Sequence, residues 1–157
     1  MCSPRPKAPL FAGPGAHLSR LVDFVHGHTG HGPVIVEGAG GILVPLDWHT
    51  TMLDLAAALQ AQVLVVARAG LGTINHSLLT VQAITGRGCP CLGVVLLDPD
   101  NAVDELSRKE NIQAIARLGS VPVWGVIGRE NPESPSAQSL DILARALESL
   151  VPEVVDG

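Results

Sequence analysis

Val34-Ile35-Val36-Glu37-Gly38-Ala39-Gly40-Gly41 is the stretch from which the fold is read. A run of branched apolar residues with no polar alternation suits a strand buried on both faces, as in a parallel sheet. The run ends on a carboxylate, and then on residues with almost no side chain. Ligands of open parallel sheets sit beyond the carboxyl ends of the strands, which is where Glu37 stands in this reading. Gly38, Gly40 and Gly41 let a backbone come close to a ligand without a Cβ in the way. Consecutive amides there can form an anion nest. An acid beside such a loop suits a divalent cation that bridges protein and phosphate, since Mg2+ takes only one or two carboxylates plus phosphate oxygens. The plain alternative is a tight strand-to-loop turn with a solvated Glu, because short glycine patterns match by chance often.

Outward from this stretch, aliphatic runs and helical patterns alternate. Leu18 to Val25 places Leu18, Leu21, Val22 and Val25 on one side of a short helix. His26-Gly27-His28-Thr29-Gly30-His31-Gly32 follows and reads as a connector, with a transition-metal site as the minority alternative. Thr50 or Thr51 caps a helix over 52–61. Further strands are expected at 63–67, 92–97 and 121–127. Between them, one helix runs to about Gly86, and another, capped by the Asp98–Asn101 turn, runs to about Leu118. Ser134-Pro135 has the form of a helix start. Leu140, Leu143, Ala144, Leu147 and Val151 then follow the stripe of an amphipathic helix. Residues 1–16, with four of the twelve prolines, read as an irregular lead-in. The order βαβαβαβα predicts an α/β fold: a parallel sheet flanked by helices with right-handed crossovers.

The 157 residues fit a single domain over 1–157. Charged residues are 16% of the chain and apolar residues 46%, a folded composition with an almost wholly aliphatic core. A net charge of −5 argues against binding a nucleic-acid backbone. No apolar run reaches the length of a membrane span, and no signal peptide is visible. The three cysteines give no disulfide framework, which fits a reducing cytoplasm.

Gly70-Leu71-Gly72-Thr73-Ile74-Asn75 opens the helix after the 63–67 strand. Free amides in its first turn suit a carboxylate or phosphate, with Thr73 as cap; the alternative is an ordinary capped glycine loop. The phosphate loop G-x-x-x-x-G-K-[ST] is absent from the sequence, whose two lysines, Lys7 and Lys109, follow no such pattern.

Val34 to Leu46 closely resembles a sequence block of dethiobiotin synthetase, and Ala69 to Thr80 resembles the block that follows it. The resemblance covers roughly residues 9 to 150 and corresponds to the C-terminal part of that family's domain. It implies a P-loop NTPase-like fold, incomplete here because the N-terminal phosphate-loop strand and helix are not in the sequence. It implies closure of the ureido ring of dethiobiotin from 7,8-diaminononanoate and CO2, with ATP as co-substrate and Mg2+, in biotin biosynthesis. It implies Glu37 as the metal ligand. Glu37, Gly38, Ala39, Gly40, Asp98 and Glu133 would face the nucleotide. Gly40, Leu71, Gly72, Thr73, Ile74 and Asn75 would face the diamino carboxylic acid, the last five across a homodimer. Leu97 stands where the family carries an adenine-reading Asn, and Gly128 where it carries Pro.

The expectation is therefore a dethiobiotin synthetase-like chain that needs a phosphate-loop-bearing N-terminal polypeptide and is inactive alone. It would be a dimer or a poorly behaved monomer, since an unpaired strand edge invites association. The alternatives are a non-catalytic dimerisation or small-carboxylate-binding module, and a relative that uses another nucleotide.

Overall fold

A computed structural model describes residues 8–12, 17–38, 40–131 and 133–148. They gather into two compact units, 1–61 with 86–89 and 62–85 with 90–157.

In the first unit α1 is a single helical turn, Pro9–Ala12, so the lead-in is not wholly irregular. Proline suits a helix start because its missing N–H would be unpaired there anyway. α2 (Leu18–His26) and a 3-10 turn (Thr29–His31) follow. Within the histidine connector, His28 Nδ1 bonds to the Phe24 carbonyl at 2.7 Å, and the two rings meet tilted at 46° with centroids 4.6 Å apart. α3 (Met52–Ala58) begins with a reciprocal capping box. Asp54 N donates to Thr51 Oγ1, and Thr51 N donates to Asp54 Oδ2. Asp54 also pairs with Arg87 at 2.9 Å. Thr51→Ala removes the cap and should destabilise this unit by about 1 kcal/mol, read as a lower midpoint in urea. A midpoint equal to wild type would mean that the box contributes nothing.

Val34–Glu37, expected as the first strand, is not one. It joins no ladder, and Ile35 is 86% exposed. An apolar run becomes a strand only when a neighbour takes its backbone hydrogen bonds. No neighbour does so among the described residues.

The second unit holds the sheet. β1 (Val63–Arg68), β2 (Cys91–Leu97) and β3 (Val123–Ile127) lie in the order β1-β2-β3, all parallel. The expected strands at 63–67, 92–97 and 121–127 are thus present, each within two residues of its expected bounds. α4 (Thr73–Gly86), α5 (Glu105–Gly119) and α6 (Ala137–Glu148) alternate with them. The sheet is α/β and flanked by helices. β2 is central, and Val94, Val95 and Leu96 are almost wholly buried, together with Ile84, Ile115 and Ala146. This is the two-sided burial that continuous aliphatic strands require.

The helix starts differ from expectation. α5 is capped by Asp104, which accepts from Ser107 N at 2.9 Å, and not by the Asp98–Asn101 turn. Ser136, not Ser134, caps α6 by accepting from Ser139 N at 3.2 Å. Gly72 precedes α4, and Thr73 is its first residue. α6 also presents another face to the sheet than its leucine stripe. Ser139, Ile142 and Ala146 are buried, while Leu140 is 52% exposed. Gly125 explains the rotation: a Cβ there would lie 2.7 Å from Ile142 Cδ1, so Ile142 fills the hollow that glycine leaves in β3. Val151 lies outside the described residues. No helix among the described residues is long and apolar enough to cross a membrane.

Candidate functional site

The first group of candidate residues belongs to the first unit. Beyond Glu37 the chain turns tightly, and the turn needs glycine at residue 40. Gly40 has φ +91°, and a Cβ there would lie 2.9 Å from Val44. A Cβ at Gly38 would lie 2.9 Å from Met52 Cε. Residues 41–54 tie this loop down. Val44 N bonds to Gly41 O, Met52 N to Val44 O, and Leu53 N to Ile42 O, at 2.9–3.0 Å. Asp47 accepts from the amides of His49 and Thr50 at 2.8 Å, which closes the turn. Glu37 itself is exposed and makes no hydrogen bond or ion pair among the described residues. Ala39 lies outside the described residues. No group of three or more metal-ligating side chains forms among the described residues. One free carboxylate beside close-approach glycines suits a Mg2+ ion whose other ligands are phosphate oxygens and water. It does not suit an all-protein cage.

The second and third groups belong to the sheet unit. Because its strands are parallel, the loops after β1, β2 and β3 leave the same, carboxyl end of the sheet. After β1, Leu71 is fully exposed and Gly72 has φ +91°. Ile74 and Asn75 follow on the first turn of α4, with Asn75 exposed. The Thr73 side chain is buried and lies 3.5 Å from the buried Ser77 hydroxyl. The Thr73 amide is engaged as well, donating to Gly70 O at 3.1 Å.

Asp98, at the end of β2, is buried and already engaged. Its carboxylate accepts from Ala102 N at 3.0 Å, from Val103 N at 3.1 Å and from Arg108 Nη2 at 2.6 Å. Burial pushes its pKa up, but the Arg108 guanidinium and the two amides outweigh that and hold it below the ordinary value. Glu133 is exposed, and its amide donates to Asn131 Oδ1 at 3.1 Å. Neither acid lines the open cavity between the two loops. This cavity of about 370 Å³ is lined by Pro99, Asp100, Gly128, Arg129, Glu130, Asn131 and Pro135. Sequence reasoning passed over Asp100 and Arg129–Asn131. The available signal was the rule that strand carboxyl ends bind ligands, applied to whole loops rather than to single acids. Glu130 turns inward and accepts from the hydroxyls of Ser136 and Ser139 at the start of α6.

These carboxylates tie stability to pH. The Thr51 hydroxyl lowers the pKa of Asp54, the Ser107 hydroxyl that of Asp104, and the Ser136 hydroxyl that of Glu130; Asp98 is lowered as described. A carboxyl more acidic in the folded state stabilises the fold above its unfolded value of about 4, and that stabilisation goes as pH falls through the lower folded values. The melting midpoint should hold from about pH 7 to pH 5 and drop below about pH 4. A midpoint flat down to pH 3 would show that these bonds do not persist in solution.

The AAA domain family profile matches residues 17–136. The chain belongs to the AAA domain family. Within this AAA domain chain, 102 residues are 51% identical to the ATP-dependent dethiobiotin synthetase BioD of Anaeromyxobacter dehalogenans strain 2CP-C, covering 64% of this chain and 45% of that protein. The BioD protein of Rhodopseudomonas palustris strain BisB5 is 46% identical over 91 residues, 58% of this chain and 42% of that one. The biotin biosynthesis bifunctional protein BioCD of Bordetella avium strain 197N is 37% identical over 118 residues, 75% of this chain and 23% of that one. The AAA domain chain thus spans about half the length, or less, of these relatives.

Proposed function

We propose that residues 1–157 form the C-terminal portion of one dethiobiotin synthetase-like domain, an ATP- and Mg2+-dependent ligase domain of biotin biosynthesis. The observation that carries this reading is the 51% identity to a protein named ATP-dependent dethiobiotin synthetase.

In the reaction, one amine of 7,8-diaminononanoate is carbamated by CO2. The carbamate takes the γ-phosphoryl group of ATP, and the second amine attacks the carbamoyl carbon and expels phosphate. Such chemistry asks the protein for positioning and charge neutralisation. Glu37 would hold Mg2+, which when bound neutralises the phosphate oxygens. Gly38, Gly40 and Gly41 bring backbone close to the phosphates, where no side chain intrudes. The first-turn amides of α4, at Ile74 and Asn75, face the substrate carboxylate across a homodimer, with Leu71 as the exposed tip. The loops after β2 and β3 hold the nucleoside end. The phosphate loop comes from polypeptide beyond this sequence, and the reaction belongs to the cytoplasm.

The test adds a phosphate-loop-bearing N-terminal polypeptide from a BioD relative to the purified chain and measures dethiobiotin formed per Mg-ATP consumed. Product that requires both polypeptides supports the reading. Absence of product from a complex that does assemble sinks it.

The engagement of Asp98 with Arg108 favours a second reading, a small-carboxylate-binding module without chemistry. Calorimetry separates the two. Under the module reading the diamino acid binds with no change on adding Mg-ATP, even with the N-terminal polypeptide present.

A further inference from the structure

The cavity beyond β2 and β3 is built from two loops, 98–103 and 128–135, and each is fixed by an acid of its own. Asp98 gathers Ala102 N and Val103 N within the first, and Arg108 from α5. Glu130 gathers Ser136 and Ser139 at the end of the second. A different residue crosses between them. Asn101 takes the left-handed conformation, φ +49°, with its amide bonded to Asp98 O at 3.0 Å. Asparagine tolerates this conformation better than most residues. Its side chain reaches the opposite loop, where Oδ1 accepts from Arg129 N at 3.4 Å. The same oxygen stands 2.5 Å from where a Cβ on residue 128 would be. Glycine at 128 is what lets the loops meet. Asp100 and Arg129, on either side of this contact, line the cavity, and neither side chain has a partner among the described residues.

We propose that Asn101 is a positioning residue: it latches the 98–103 loop to Gly128–Arg129 and thereby sets the spacing of Asp100 and Arg129 around a bound nucleoside. The ligand class rests on the nucleotide-dependent reading above. A nucleobase offers donors to the Asp100 carboxylate and acceptors to the Arg129 guanidinium on one planar edge. A cavity of about 370 Å³ is large enough for a base with its sugar. Preset spacing matters because a ligand held by two short contacts loses affinity when one wall shifts.

The probe is adenosine, which needs no phosphate loop. Its affinity is read from amide shifts of Asp100, Arg129, Glu130 and Asn131 in wild type, Asn101→Gly, Gly128→Ala and the double variant. Glycine keeps the backbone at 101, and an alanine at 128 pushes the Asn101 oxygen aside, so both single variants stay folded and lose the same contact. Each should bind adenosine about three- to tenfold more weakly, with melting midpoints within about 2 °C of wild type. The double variant should be no weaker than the weaker single one, as for two halves of one interaction. Single variants that bind like wild type, or losses that multiply in the double, overturn the latch. If wild type shows no shifts at these amides, the nucleotide reading of the cavity fails. The latch is then judged by hydrogen exchange at the Arg129 amide, which Asn101→Gly must accelerate; an unchanged rate overturns it.

Discussion

Gly93→Ala should cost the sheet unit about 3–5 kcal/mol, a large part of the 5–15 kcal/mol that holds a domain of this size together. Gly93 lies in β2, the central strand, with φ +126°. That conformation already disfavours any side chain. A Cβ there would collide with the Pro122 carbonyl oxygen and lie 2.7 Å from Trp124 Nε1. Both atoms are in use. Pro122 O accepts from Val94 N at 2.9 Å, and Trp124 Nε1 donates to Leu92 O at 3.0 Å. The strand cannot shift to make room without breaking the contacts that pair it to β3. Neighbouring Val94 and Val95 are almost wholly buried, so the strain has no soft place to go. Gly70→Ala is the control, because a Cβ at Gly70 has nothing within 4 Å. It should stay within about 0.5 kcal/mol of wild type. Urea unfolding followed by circular dichroism decides. A Gly93→Ala protein less than about 1 kcal/mol below wild type would mean that β2 and β3 are not packed as described.

β1, β2 and β3 were legible because continuous Val/Leu/Ile runs have few other uses in a chain of this composition. Val34–Glu37 carries the same signal and forms no strand. Local sequence reports that a segment is apolar, whereas a ladder also needs a partner, and the partner is a property of the whole sheet. The α6 helix is legible from its periodicity, but its rotation is not. A single glycine in β3, Gly125, selects Ile142 as the inward residue over the leucine stripe. Caps fell short for a related reason. Asp98, Asp104, Ser134 and Ser136 all have the chemistry to cap, and the loop lengths that choose among them are set by how the helices pack. At the candidate site, the glycine pattern after Glu37 was readable because φ +91° at Gly40 needs that residue. Asp98 was read as a ligand group. An acid at a strand end looks the same in sequence whether it faces solvent or an arginine ten residues on, and only the fold shows Arg108 Nη2 at 2.6 Å.

Glu37→Gln should leave the fold intact and lower the Mg2+-dependent rate of the assembled enzyme about 10²-fold or more, since a metal ion on a transferring phosphoryl group supplies several kcal/mol of charge stabilisation. The substitution keeps size and shape and removes one charge. Nothing in the fold depends on that charge, because the Glu37 carboxylate has no hydrogen bond or ion pair among the described residues. The melting midpoint should therefore match wild type, and a lost rate cannot be ascribed to unfolding. A neutral amide oxygen still coordinates, but weakly, so the loss should appear first as a raised Mg2+ requirement. The half-saturating Mg2+ concentration should rise by about tenfold or more, and excess Mg2+ should recover part of the rate. Glu37→Asp keeps the charge and shortens the reach, and should fall between the two. This ordering separates a metal ligand from a residue that merely shapes the loop. A loop-shaping residue would tolerate Gln better than Asp and would show no Mg2+ rescue. If Glu37→Gln keeps both its rate and its Mg2+ requirement, the carboxylate is a solvated turn residue, and the cation is held by other groups.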